Sequence, residues 1–251
     1  MIPYYVEGGV TIYHADCREV LPTLDPVDLI VTSPPYNLGG QKASGTYFRN
    51  LQDGYECTSD DLPDADYQTD QRTILHLMWR CLSDSGAIFY NHKPRVGGDR
   101  VWLPSFVLDS GLPLRQIIVW DRGSGFNRQF AYFVPSYEWI MLLAKPDFRL
   151  TTRSVDDVWR IPPASGSAAE DHPAPFPLAI PKLAIASVET AASVLDPFAG
   201  SGSTLRAAKD LGRRAIGIEL SERYCEIAAR RLGQEVMDFG ASDLALTTGE
   251  H

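Results

Sequence analysis

Ser193-Val-Leu-Asp196-Pro-Phe-Ala-Gly200-Ser-Gly202-Ser-Thr204, followed by Arg214-Ala-Ile-Gly-Ile-Glu219, decides the fold. The apolar run Ser193–Leu195 predicts a strand, and Asp196 opens a turn that carries Gly200 and Gly202. A helix is expected from that turn to Leu211, and Arg214–Ile218 predicts the next strand, which ends at Glu219. Ser221 then caps a helix running to about Leu232, with Glu222 in its first turn. Strand, glycine turn, helix, strand and acid in that order make a βαβ unit, hence an α/β fold.

Glycines at a strand-to-helix turn permit positive φ and a close approach of backbone to a ligand. The amides of the helix N-terminus face such a ligand. Glu219 lies 17 residues beyond Gly202, where a carboxylate can accept from both hydroxyls of a ribose. A purely structural tight turn is the alternative, and a dinucleotide or a nucleoside triphosphate would use similar glycines. The third glycine of the dinucleotide fingerprint is missing, however, and no Walker lysine follows. A single nucleoside without phosphate, such as S-adenosylmethionine, needs neither.

Upstream, Val27-Asp-Leu-Ile-Val-Thr-Ser33-Pro34-Pro35-Tyr36-Asn37 reads as a buried strand running into a rigid loop. Those loop residues suit chemistry on the exocyclic amine of a base. Such an amine is a poor nucleophile because its lone pair is delocalised into the ring. Two acceptors that hold its protons favour a pyramidal nitrogen with a localised lone pair. The Ser33 hydroxyl is one acceptor and the Pro34 carbonyl the other. Pro34 and Pro35 bring no competing N–H and fix φ. Tyr36 can stack on a base turned out of a duplex. Ser33 can also donate its own proton to the neighbouring ring nitrogen. Rate would then come from positioning, with no metal and no base of shifted pKa. The alternative for these four residues is a proline turn that merely ends a strand.

The rest of the chain is read more coarsely. Val10–His14, Gly86–Asn91 and Leu114–Trp120 predict strands, and Tyr137–Ala144 reads as a fully apolar strand of the buried kind. Gln71–Leu82, Val101–Leu108 and Pro177–Val188 predict helices. Residues 38–70, rich in Gly, Asp, Ser and Thr, read as a long loop or lid in which Tyr47, Phe48 or Tyr55 could narrow a base pocket. Residues 146–171 are a second candidate recognition loop. One catalytic domain over residues 1–232 and a tail over 233–251 are expected.

The chain carries a net charge of −9, which argues against strong nonspecific binding of nucleic acid. The charge is unevenly spread: residues 1–70 hold 12 acids and 3 bases, while residues 93–160 hold ten bases and seven acids. DNA could approach the second segment, and Arg95, Arg122 and Arg128 are its candidate phosphate contacts, the last two flanking Gly123-Ser-Gly125. A solvated mixed-charge surface is the alternative. The four cysteines are far apart and form no CxxC, which speaks against a zinc site or a disulfide framework. No apolar run approaches the roughly 20 residues of a membrane span. The opening MIPYYVEGGV lacks the regions of a signal peptide, so a cytoplasmic protein is expected.

Together these residues resemble the β-class DNA amino-methyltransferases, over roughly residues 10–232. The Ser33–Tyr36 match is the most specific, and in that family the catalytic motif also precedes the cofactor motif. The resemblance implies a Rossmann-like methyltransferase fold with a mostly parallel seven-stranded sheet, one antiparallel edge strand and a circularly permuted motif order. It implies S-adenosylmethionine as cofactor, double-stranded DNA as partner and a homodimer. Asp196-Pro-Phe198-Ala-Gly200-Ser-Gly202 looks like the cofactor loop, and Glu219 in Gly-Ile-Glu-Leu like the ribose-binding acid. His14-Ala-Asp16-Cys17 looks like the segment whose acid contacts the adenine, although Asp16 taken alone reads as a strand-end acid. His172-Pro-Ala-Pro-Phe176-Pro177 looks like the segment lining the methionine end, or a simple helix entry.

Departures are Ser33 where adenine-modifying members commonly carry Asp, Ala15 for the usual Gly, and a short recognition segment. Ser-Pro-Pro-Tyr is typical of the cytosine 4-amino enzymes, so that base is expected. Adenine-N6 methylation, an RNA or protein amine substrate, and an inactive cofactor-binding subunit are the alternatives. The intact catalytic loop speaks against the last.

Overall fold

The computed structural model describes residues 1–37, 62–96, 99–123, 125, 130–164 and 176–233. Eleven strands fall in these residues: β1 (Tyr5–Glu7), β2 (Val10–His14), β3 (Val27–Thr32), β4 (Leu82–His92), β5 (Arg95–Val96), β6 (Val101–Trp102), β7 (Leu114–Asp121), β8 (Tyr137–Ala144), β9 (Val158–Arg160), β10 (Ser193–Asp196) and β11 (Arg214–Glu219). The helices are α1 (Cys17–Val20), α2 (Asp64–Arg80), α3 (Ser105–Leu108), α4 (Ala179–Ala186), α5 (Ser203–Asp210) and α6 (Glu222–Gly233).

Nine strands form one sheet in the order β1-β2-β11-β10-β3-β4-β8-β7-β9. From β2 to β4 every pairing is parallel. The alternation of apolar side chains explains the layers. Leu29 and Val31 of β3, Ala87 and Phe89 of β4, and Ile140 and Leu142 of β8 point to one face, where they pack with α4, α5 and α6. Ile30, Ile88, Tyr90, Met141 and Leu143 point to the other, where they meet α1, α2 and α3. A strand covered on both faces has no polar side to show, which is why these runs lack polar alternation.

The expected seven-stranded sheet is corrected to a nine-stranded mixed one. Two strands run antiparallel to their neighbours where one edge strand was expected: β1 at the edge beside β2, and β8 inside the sheet between β4 and β7. The two additional strands are short. β1 turns into β2 through Gly8-Gly9, both at positive φ (56° and 80°), a hairpin signal that the sequence reading passed over. β9 is three residues pairing with the end of β7.

Two further expectations are revised. Residues 64–70 belong to α2 and not to a lid, and 38–61 lie outside the described residues with Tyr47, Phe48 and Tyr55. The first turns of α2 are acidic, which suits a helix N-terminus, and they bury only Tyr67 before Gln71. Gln71 is polar yet buried, and its Oε1 accepts from the Tyr90 hydroxyl at 2.7 Å. Of Val101–Leu108 only α3 is helical. Val101–Trp102 pairs with β5, and Pro104 disfavours helical geometry at the residue before it. None of the described helices is long and apolar enough to cross a membrane.

Candidate active site

Adjacent parallel strands bring their carboxyl ends together, and loops leaving those ends meet in one crevice. Here β2, β11, β10 and β3 deliver, side by side, Asp16, Glu219, the 196–202 turn and the Ser33–Tyr36 loop. Glu219 and His14 are in register, and the Ala15 amide donates to the Glu219 carbonyl at 3.1 Å.

On the glycine side the building material is backbone. Gly200 and Gly202 sit at φ 49° and 81°, a region costly for other residues. A Cβ on Gly202 would stand 2.9 Å from the Ala228 Cβ, so α6 could not pack as it does. Glu219 accepts from the Gly200 amide (2.8 Å) and the Ser221 amide (2.9 Å), one on each carboxylate oxygen. Burial raises the Glu219 pKa, against the lowering effect of those amides. A carboxylate offers about four acceptor positions, so both oxygens keep capacity for the paired hydroxyls of a ribose.

Asp196 is fully enclosed and supports the turn from below. It accepts from the Thr32 hydroxyl (2.7 Å) and the Phe198 amide (3.1 Å), and burial pushes its pKa up to about 6. Asp16 caps α1, accepting from the Arg18 amide (2.8 Å) and pairing with the Arg18 guanidinium (2.6 Å), whose hydrogen bond lowers its pKa. Cys17 is buried in the core, with its thiol pushed up to about 12 by burial. Phe198 and Phe176 are half-buried core neighbours, Phe176 set edge-on against Trp120.

On the Ser33 side the building material is side chains from five separate stretches. Ser33 Oγ lies 2.9 Å from the Tyr36 hydroxyl and donates to Asn91 Oδ1 at 3.3 Å. The Tyr36 hydroxyl reaches Asn91 Oδ1 (2.8 Å) and Glu138 Oε2 (3.0 Å), and Arg122 pairs with Glu138 at 3.2 Å. Beneath the prolines, the Tyr67 hydroxyl donates to the Pro35 carbonyl at 2.7 Å and lies 2.8 Å from His92 Nε2. His92 stacks at a tilt on Tyr36 (4.7 Å), and burial drives its pKa down to about 3. Asn37 closes the loop at φ 53°, and its amide exchanges two 2.8 Å hydrogen bonds with the Leu62 backbone.

The structure therefore brings together Ser33, Pro34, Pro35, Tyr36, Asp196, Phe198, Gly200, Gly202, Glu219 and, at the rim, Asp16. The arginines need a correction. Arg95 lies over the Trp102 ring (3.9 Å), donates to the Asn37 carbonyl (2.7 Å) and pairs with Asp64 (2.8 Å). Arg122 pairs with Glu138 and donates to the Pro135 carbonyl at 3.2 Å. Both are engaged by the protein itself, Arg95 directly on the 33–37 loop and Arg122 through Glu138, so neither is presented as a free phosphate contact. His172 and Arg128 lie outside the described residues.

Sequence reasoning missed Asn91, His92, Tyr67 and Glu138. For Glu138 a signal existed, since it is the one charged residue in the run taken as fully apolar.

Comparison with known proteins gives a consistent picture. The sequence profile of a DNA methylase family matches residues 27–230. The chain is similar to the Type II methyltransferase M.ScaI of Streptomyces caespitosus, with 29% identity covering 93% of this chain and 84% of that protein. It is also similar to the Type II methyltransferase M2.LlaDCHI of Lactococcus lactis subsp. cremoris, with 28% identity and 92% of each covered. Among solved structures, the PvuII DNA methyltransferase (cytosine-N4-specific) aligns with a TM-score of 0.74 at 17% identity, covering 94% of this chain and 90% of that one. TTHA0409 of Thermus thermophilus, solved in complex with S-adenosyl-L-methionine, aligns with a TM-score of 0.63 at 25% identity, covering 91% and 95%.

Proposed function

The chain belongs to the DNA methylase family of S-adenosylmethionine-dependent amino-methyltransferases, and from that premise we propose that it methylates the 4-amino group of cytosine. The observation that carries this reading is the placement of Ser33–Tyr36 at the tip of β3, next to the glycine turn at the tip of β10. S-adenosylmethionine supplies a methyl group made electrophilic by a sulfonium. Glu219 and the Gly200–Gly202 turn hold its nucleoside, with Asp16 at the rim. Asp196 holds the turn in shape from beneath. Ser33 Oγ and the Pro34 carbonyl would accept hydrogen bonds from the two N–H groups of the target amine and leave its lone pair localised toward the methyl. Tyr36 is held by its own hydroxyl while its ring offers a face to a flipped base.

Cytosine is favoured over adenine because the acceptor at position 33 is a neutral hydroxyl and not a carboxylate. The enzyme would act as a two-fold dimer, the commonest arrangement, in which a second subunit extends a short recognition segment.

Nucleosides from DNA of cells expressing the protein, analysed by mass spectrometry, should contain 4-methylcytosine. Finding 6-methyladenine alone would overturn the base assignment and keep the family. Sedimentation of the same protein at micromolar concentration, with and without DNA, should give a dimer; a monomer in both would remove that part.

A further inference from the structure

On the reading that Ser33 faces the amine, we propose that Glu138 is a positioning residue for methyl transfer. It fixes which way the Ser33–Tyr36 hydroxyl pair points, so that Ser33 meets the amine as an acceptor.

Glu138 stands in a strand that is otherwise apolar, and it is 5% exposed. Burying a carboxylate is costly unless it is paired, and an apolar residue would serve the sheet as well. Of its three side-chain partners, Tyr36 belongs to the catalytic loop, Asn91 touches it, and Arg122 meets only the acid. Oε2 accepts from Tyr36 (3.0 Å) and from Asn91 Nδ2 (3.4 Å), and Arg122 compensates its charge from 3.2 Å. Asn91 is oriented by the same network. Its Nδ2 donates to the Trp139 carbonyl at 3.0 Å, which leaves Oδ1 facing the two hydroxyls.

Donor counting then gives the direction. A carboxylate only accepts, and each hydroxyl has one proton to give. Tyr36 gives its proton inward, to Glu138 or to Asn91 Oδ1. Ser33 gives its proton inward as well, to the Tyr36 oxygen or to Asn91 Oδ1. The lone pairs of Ser33 are what remain for the amine. In the opposite arrangement, with Tyr36 donating to Ser33, Glu138 Oε2 would keep only the long 3.4 Å bond from Asn91 Nδ2, and Asn91 Oδ1 would be the one inward acceptor left for the serine proton. The expectation that Ser33 donates to a ring nitrogen of the base gives way here, because its proton is already committed.

Glu138→Gln keeps the shape and removes the acceptor-only character, since a Gln amide can donate to Tyr36 and reverse the chain. Charge-assisted hydrogen bonds of this kind are the stronger class, and the single-turnover rate should fall about 10- to 100-fold. The rate is read as radioactive methyl transferred from S-adenosylmethionine to PCR-amplified genomic DNA, which carries many short target sites and needs no knowledge of the base. Binding of cofactor and of DNA should stay within about twofold, which shows that the fold is intact. Because Glu138 acts through the Tyr36 hydroxyl, Glu138→Gln should add less than about threefold to the loss in Tyr36→Phe. Asn91→Asp, which returns a carboxylate within reach of both hydroxyls, should recover rate in Glu138→Gln. A Glu138→Gln rate within about threefold of the parent, or a loss fully additive with Tyr36→Phe, would overturn the assignment. No transfer to DNA by the parent protein would instead sink the reading of Ser33 on which it stands.

Discussion

The glycine end and the serine end of the crevice sit on neighbouring strands, yet they are made differently. At the glycine end, backbone amides and two positive-φ glycines do the holding, and one acid at the next strand tip completes the set. Nearly all of it lies within residues 196–219. At the serine end, four residues of loop are held by Tyr67, Asn91, His92 and Glu138, drawn from α2, β4 and β8. A backbone-built site tolerates change outside its own segment but little change within it. A side-chain-built site can be altered from far away, one hydrogen bond at a time.

The sharpest way to break this contrast is to compare Ser33→Ala with Glu219→Ala. Loss of a hydrogen-bonding group that acts on the reacting atoms costs about 100- to 1,000-fold in turnover, so Ser33→Ala should lower kcat by that order while the cofactor Kd stays put. Glu219→Ala should do the reverse, weakening cofactor binding by about 1–3 kcal/mol as two ribose hydroxyls lose their acceptor. Calorimetry and single-turnover kinetics on both variants decide it. Equal losses in both measurements for both variants would mean that the two ends are not separable.

Gly202→Ala tests the backbone side alone. The new Cβ would combine positive φ with a 2.9 Å approach to Ala228, at a cost of about 1–3 kcal/mol. Urea denaturation should show that loss together with weaker cofactor binding. An unchanged midpoint would mean that α6 shifts freely.

A separate test is the acid sensitivity of the brace under the prolines. His92 titrates near 6.5 when unfolded and at about 3 when folded. Between these values the unfolded chain binds the extra proton, so its contribution to stability declines as pH falls, by about 1.4 kcal/mol per pH unit. Asp196 works the other way. Its carboxyl is raised from 3.8 to about 6, so the folded state binds the proton first, and acidification through that range favours folding. The stability difference between parent and His92→Gln should therefore shrink by about 1.4 kcal/mol per pH unit from pH 6.5 toward 4. A difference independent of pH would mean that His92 protonates in place.

The same contrast explains what could be read from the sequence. The glycine turn, Glu219 and Ser33–Tyr36 are each contiguous or evenly spaced, so their chemistry shows in a window of a few residues. Glu138 and Asn91 gain meaning only when β8 inserts between β4 and β7, and no local pattern announces that pairing. The start of α2 ahead of Gln71 stayed hidden because those turns bury only Tyr67 and so carry no apolar stripe. Arg122 looked like a surface cation because Gly123-Ser-Gly125 follows it, whereas its partner Glu138 is sixteen residues away.

The place of β10 between β3 and β11 has a consequence for how the chain acquires its fold. Asp28, near the start of β3, accepts from the Ala192 and Ser193 amides (2.9 and 3.0 Å), and Thr32 at its end donates to Asp196. Both stitches join segments about 164 residues apart. During synthesis β3 can pair with β4 early, but its other edge stays open until β10 emerges. That edge is an apolar strand with free backbone groups, the kind that pairs with strangers. Contacts so distant in sequence also form slowly. The two ends of the crevice thus come together only once β10 is available, and until then the open edge of β3 is exposed to aggregation.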